Sequence, residues 1–230
     1  MQSSPIDLKR DAEAARYALL RRLASAIRHD MAGGFQPVTM LATIIEKRLL
    51  TASPVMPTLI KNSSEMRTLA IAATHSNLDL MGWMVVNPEA RVALSKGIQD
   101  VLHLLMTELS FRGLKFINQT EGMTTDVKLD HVHGTFVAAL LALTDAVTSP
   151  ANVQITAAQE GQDMLVEIKI TDVKATSDAS TPSEEFRIGL AAYRKIDWAD
   201  AQAIADVDGL SVIHKATSVE LRLPIATTLG

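Results

Sequence analysis

The stretch "AIRHDMAGGFQPVTML" (26–41) places a histidine, His29, directly beside an aspartate, Asp30. A carboxylate near an imidazole favours the tautomer that leaves the other ring nitrogen free as a nucleophile. Ile27 lies in the apolar stripe of a helical pattern. His29, two residues on at about 100° each, falls about 200° away on the outer face, accessible to a partner. Asp30 is adjacent in sequence rather than stacked on the ring, and a flexed helix would let the two side chains meet. Such a pair on a helix surface is most often only solvated, because a single short motif is weak evidence. Gly33, Gly34 and Pro37 follow closely, so the reactive pair stands next to the weakest part of its own helix.

Other candidates for chemistry are fewer. His131 and His133 lie two apart beside Asp130, a spacing that shares a face on a strand. At the start of a helix they diverge by about 200°, and no metal site is expected. His75, His103 and His214 have no acidic or histidine partner at ligand spacing, and His103 within "VLHLLM" reads as a partly buried helix residue. There is no Gly-x-Ser-x-Gly elbow and no P-loop. The basic patches "RRLASAIR" and "EKRLL" read as a solvated face flanking His29, able to steer an acidic partner surface.

The elements that must position His29 come first in the chain. Residues 7 to about 50 carry one long helical pattern: Leu19, Leu23, Ile27 and Met31 at i+4 steps, then Val38, Leu41 and Ile45. A kink is expected near Gly33. "TASPVMP" (51–57) is a turn, and a second helix runs from about Thr58 to Val85 with Leu59, Met66, Leu69, Ala73 and Leu80 as its stripe. Two such helices carry too much apolar surface for a lone pair, so a homodimer forming a four-helix bundle is expected. The texture changes at "VNPEARVALSKG", which divides a helical hairpin (1–88) from a second domain (89–230). That domain reads as a helix (95–113), a short strand "LKFINQ", a buried helix (129–150), a hairpin around "EGQD" (152–172), a polar loop (173–185), a helix "FRIGLAAYRKIDWADAQAIA" and two closing strands. The fold class is α+β, with helices on one face of an antiparallel-rich sheet.

Composition limits the function classes. The 230 residues carry a formal net charge of −4, without the basic footprint of a nucleic-acid binder. Cysteine is absent, which removes disulfides, thiolate nucleophiles and cysteine metal sites. The start of the chain has no apolar signal core, and the longest apolar runs fall short of a bilayer span of roughly 20 residues. A soluble, cytoplasmic protein without membrane contact is expected.

"RHDMAGGFQPVTMLATIIEKRL" resembles the phosphoacceptor helix of two-component histidine kinases and of bacterial histidine phosphotransferases built on the same dimeric bundle. His29 matches the phosphorylated histidine and Asp30 its acidic neighbour. Gly34 stands where the family usually has its proline, and Pro37 comes later. Gly33 occupies the position where many members carry the Thr or Asn used in dephosphorylation. "LSKGIQDVLHLLMTELSFRGLKFIN" is similar to the opening helix and strand of the family's ATP-binding domain. "LDHVHGTFVAALLALTDAV" sits where its asparagine box lies, "RIGLAAYRKI" at its second glycine-rich box, and "VELRLPI" at its closing strand.

The resemblance also implies what has changed. At the positions of the magnesium-holding asparagines stand Leu141, which cannot ligate a metal, and Asp145, a poor cage alone. In "ITDVKATS", Asp172 keeps the adenine-contacting residue, and Lys174 and Thr176 replace glycines. Arg187 replaces the first glycine of the second box, and Gly189 remains. A side chain at a glycine position fills space a nucleotide needs. The resemblance therefore implies a histidine phosphotransfer protein that relays phosphoryl groups between receiver-domain aspartates through His29. It would not bind ATP, and the receiver of a response regulator would supply the magnesium. A divergent sensor-less kinase and a non-enzymatic scaffold that binds response regulators stand as alternatives, so whether the chain is an enzyme is left open.

Overall fold

The computed structural model describes residues 5–83, 87–148, 150–172 and 195–226. It divides into two compact units: residues 24–86, and residues 1–23 together with 87–230.

The smaller unit is helical. Helix α1 (Pro5–Leu49) contributes its second part, and α2 (Met56–Met81) follows a short turn. The α1 helix runs unbroken through Gly33, Gly34 and Pro37. Pro37 has no N–H, so the carbonyl of Gly33 loses its helical donor, and the weakness is local rather than a break. In α2, Leu59, Ala73 and Leu80 are buried, whereas Met66 and Leu69 are only half-buried. Small residues meet between the helices: a Cβ built on Gly34 would lie 3.6 Å from that of Ala73. Large apolar side chains remain exposed along both helices, among them Met40, Ile60, Ile71, Leu78 and Met81.

The larger unit is the α+β part. Its main sheet has five strands: β2 (Leu114–Asn118), β4 (Ala151–Glu160), β5 (Asp163–Asp172), β6 (Ser211–His214) and β7 (Ser218–Pro224), in the order β2-β4-β5-β7-β6. Among the described residues, only β2 and β4 pair in parallel. Burial alternates along β5: Met164, Val166, Ile168 and Ile170 point into the core. This period of two is what a sheet covered on one face requires. The cover comes from α3 (Leu94–Phe111), from a composite helix, and from α6 (Trp198–Asp208). The composite helix runs as α4 (Leu129–His131), a π-helical turn (Val132–Phe136) and α5 (Val137–Asp145). Ile98, Leu105, Leu109, Phe136, Leu140 and Leu141 fill the interior. A second, two-stranded sheet pairs β1 (Arg91–Ala93) with β3 (Asp126–Lys128). Helix α6 begins with a reciprocal capping box between Asp197 and Asp200 and ends at Gly209 in the left-handed conformation.

Residues 5–23 of α1 belong to this larger unit. Ala12, Ala15, Ala18, Leu19 and Leu23 form the buried stripe of that segment. Among the described residues, no helix is long and apolar enough to cross a membrane.

Helix α3 ends where a side chain is not tolerated. Gly113 has φ +76°, and an added Cβ would come within 3.1 Å of Pro150. Gly113→Ala is expected to lower the unfolding free energy by about 2 kcal/mol, combining the left-handed penalty with the clash. Urea denaturation checks this. A loss below about 0.5 kcal/mol would mean that the turn relaxes freely.

Candidate functional site

His29 is exposed on α1, and Asp30 beside it is half-buried; both lie in the helical unit. The stripe residue Ile27 is 7% exposed, as its place on the opposite side of the helix requires. Helical spacing sets the two side chains about 100° apart. Gly33 has open space where a Cβ would be, so no other described residue packs on it from that side.

The second group of residues is in the α+β unit. Leu141 is fully buried in the core of α5, and Asp145, one turn later, is the last residue of that helix. Asp145 Oδ1 accepts hydrogen bonds from Arg112 Nη1 at 2.7 Å and from Arg22 Nη2 at 3.3 Å. Arg22 Nη1 also donates to Glu108 Oε2 at 2.6 Å, and its Nη2 donates to Glu108 Oε1, which makes a two-pronged fork. Arg112 Nη2 donates to the carbonyl of Thr144 at 2.6 Å, and Lys195 Nζ to that of Asp145 at 3.5 Å. These cations meet the negative end of α5, where orphan carbonyls and the helix dipole favour positive charge. Arg22 is 4% exposed. Burial opposes its charge, but hydrogen bonding to Glu108 and the charges of Asp145 and Glu108 outweigh this and hold its pKa further above the ordinary arginine value. Asp145 Oδ2 is buried without a hydrogen-bond partner among the described residues.

The resemblance implies magnesium at this place, and the residues present do not fit it. Leu141 offers no ligand atom. Asp145 Oδ1 is already engaged by two guanidinium groups and Glu108 by one of them, and a divalent cation beside those guanidinium groups would be repelled. Among the described residues, no group of three or more His, Asp or Glu converges as a metal site would.

Asp172 is the last residue of β5, opposite Ala151 in the ladder. Lys174, Thr176, Arg187 and Gly189 lie outside the described residues.

A third cluster surrounds the π-helical turn. His131 is 6% exposed, with Nδ1 lacking a partner among the described residues. Asp208 Oδ1 accepts from Arg16 Nη2 at 2.6 Å, and its Oδ2 from Thr135 Oγ1 at 3.4 Å. Burial raises the Asp208 pKa against the pull of Arg16 and His131, and burial lowers that of His131. Burial also pushes His133 down to about 4, against the opposing charge of Asp100. A histidine whose folded pKa lies below its unfolded value of 6.5 stabilises the fold only while neutral. Stability is therefore full above pH 6.5 and falls as the pH drops from 6.5 toward 4. We expect His133→Gln to flatten this part of the curve, as read by urea midpoints at pH 7, 5.5 and 4.5. Equal slopes in variant and wild type would contradict it.

Sequence reasoning missed three residues here. Arg22 belongs to "RRLASAIR", read as a solvated patch. Arg21 is indeed exposed, but Arg22 is buried. Its place three residues after Leu19, on the stripe, was the available signal. Glu108 and Arg112 gave none, because their partners are far away in the chain. His103, expected to be partly buried, is exposed.

No protein-family model matches the chain, and no curated protein matches it. Solved structures to which it is similar include the catalytic domain of histidine kinase ThkA, at TM-score 0.44 and 10% identity over 59% of this chain and 95% of that one. They also include the Acinetobacter baumannii histidine kinase AdeS, at TM-score 0.42 and 10% identity over 84% and 96%. A bacterial phosphotransferase is similar at TM-score 0.38 and 12% identity over 97% and 98%.

Proposed function

We propose that the chain is a dimeric histidine phosphotransfer protein that relays phosphoryl groups between receiver-domain aspartates through His29, without binding ATP. The observation that carries the ATP-free part is the engagement of Asp145 by Arg22 and Arg112, where a kinase-like site would need a metal ligand. Exposure of His29 next to Asp30 supports the relay. The exposed apolar side chains of the helical unit support a second copy completing the bundle.

In this reading an imidazole nitrogen of His29 attacks the phosphorus of a receiver aspartyl phosphate in line, and the aspartate carboxylate leaves. The phosphoryl group later passes to another receiver aspartate by the reverse displacement. Asp30 orients the ring or takes its proton. The receiver supplies the magnesium and the cation that stabilise the transferring group. The Gly33–Gly34 segment, where Pro37 deprives the Gly33 carbonyl of its helical donor, lets the helix yield as His29 repositions.

A scaffold that holds a response regulator without phosphotransfer is the second reading, and the buried arginine cluster suits it equally. The two part at His29→Gln, since a scaffold keeps its function and a relay loses it. Titration with ATP and magnesium by calorimetry tests the nucleotide claim. No heat of binding up to millimolar ATP is expected, and micromolar binding would make the chain a divergent kinase.

A further inference from the structure

Residues 5–23 of α1 meet the α+β unit through a narrow apolar stripe and a set of buried or half-buried ion pairs. Three of the five residues in their buried stripe are alanines (Ala12, Ala15 and Ala18), which remove little surface from water. Two arginines of the same segment reach acidic groups on three other helices. Arg16 meets Asp208, the last residue of α6; Arg22 meets Asp145, the last residue of α5, and Glu108 in the last turn of α3. All three carboxylates therefore sit at the negative ends of helices, where a carboxylate is disfavoured and a cation is welcome. Arg112 compensates Asp145 from within the unit, but among the described residues Glu108 and Asp208 form ion pairs only with the segment's arginines. The rest of the core, from Ile98 and Leu105 of α3 to Val166, Ile168 and Leu221 of the sheet, is supplied by residues outside this segment.

We infer that residues 5–23 form an electrostatic strap that opens from the α+β unit as a cooperative step of its own, and that Arg22 sets how often it opens. A segment with few large buried side chains and its own set of contacts is the kind of element that opens below the free energy of global unfolding. Opening uncovers the carboxylates of Glu108, Asp145 and Asp208, and frees the part of α1 that precedes His29. The strap stands whether or not His29 accepts phosphate.

Native-state hydrogen exchange on the full chain, followed by mass spectrometry at low urea, tests it. In the wild type, peptides within 5–23 are expected to exchange about 100-fold faster than peptides of β5 and β7. Arg22→Gln should abolish most of the remaining protection of 5–23, a further change of about tenfold or more. The strands should lose no more than the same factor and stay more protected than 5–23, because they still exchange only through the larger opening. Arg16→Gln provides a milder variant of the same strap should Arg22→Gln fold poorly, and it should shift 5–23 in the same direction. Arg21→Gln, on the exposed side, should leave 5–23 unchanged. Equal exchange of 5–23 and the strands in the wild type, persisting in the variants, would overturn the strap, because the segment would then open only with the whole unit.

Discussion

On the proposed relay, His29→Gln is expected to abolish phosphoryl acceptance and to leave the fold unchanged. An amide nitrogen has no lone pair comparable to that of a neutral imidazole, so the displacement at phosphorus loses its nucleophile. Loss of an essential nucleophile is read on a scale of about 10³-fold or more. The His29 side chain is exposed, so stability should change by less than about 0.5 kcal/mol. That pairing of large chemical loss with small structural change separates a reactive residue from a structural one. Asp30→Asn should retain acceptance at a rate reduced by about 10- to 100-fold, since in the proposed relay Asp30 acts through the ring. The readout is acid-labile label on the chain after mixing with a phosphorylated receiver. Undiminished label in His29→Gln would move the acceptor elsewhere.

The second large effect is on stability. Arg22→Ala leaves Glu108 without the fork that neutralises it and removes one of the two cations on Asp145. Breaking a buried ion pair by deleting one partner costs about 3–5 kcal/mol. The low end applies, about 3 kcal/mol, for two reasons: the Glu108 side chain is 24% exposed and partly rehydrates, and release of the strap caps the loss. For a chain of this size the melting temperature should drop on the order of 10 °C. Arg21→Ala, one residue earlier and exposed, should change it by a degree or two. Arg22→Ala in a Glu108→Ala background should cost much less than in the wild type, because the carboxylate it would strand is already gone. Additive losses in that double variant would mean that Arg22 acts through packing of its stem rather than its charge.

The sequence was most informative where periodicity is long. Alternation marks β4 over its first six residues and β5 along most of its length, and their turn at Gly161 and Gln162 falls within the expected "EGQD". Helix α3 was legible from its stripe and from Gly113 at its end. Strands β1 and β3, three residues each, are too short to show a period and exist through their pairing with each other. The π-helical turn is a change of hydrogen-bond register that leaves no mark on residue type. The neighbours of Asp145 were hidden for a different reason. Arg112 and Arg22 lie 33 and 123 residues from it in the chain, so no local pattern joins them. Arg22 itself was misread because arginines on helices are usually solvated; only its coincidence with the apolar stripe set it apart from Arg21. His29, by contrast, needed only helical spacing to be placed on the outer face.

The proposed relay stands or falls on the source of the phosphoryl group, which His29 takes from a receiver and not from ATP. The most direct measurement offers the purified chain both donors in parallel: γ-labelled ATP with magnesium, and a panel of receiver domains carrying labelled aspartyl phosphate. Acid-labile label on His29 is expected from at least one receiver, and none from ATP alone. Label on His29 from ATP alone would contradict the relay and make the chain a kinase. No label from any receiver, with the regulators still bound, would leave a scaffold in its place.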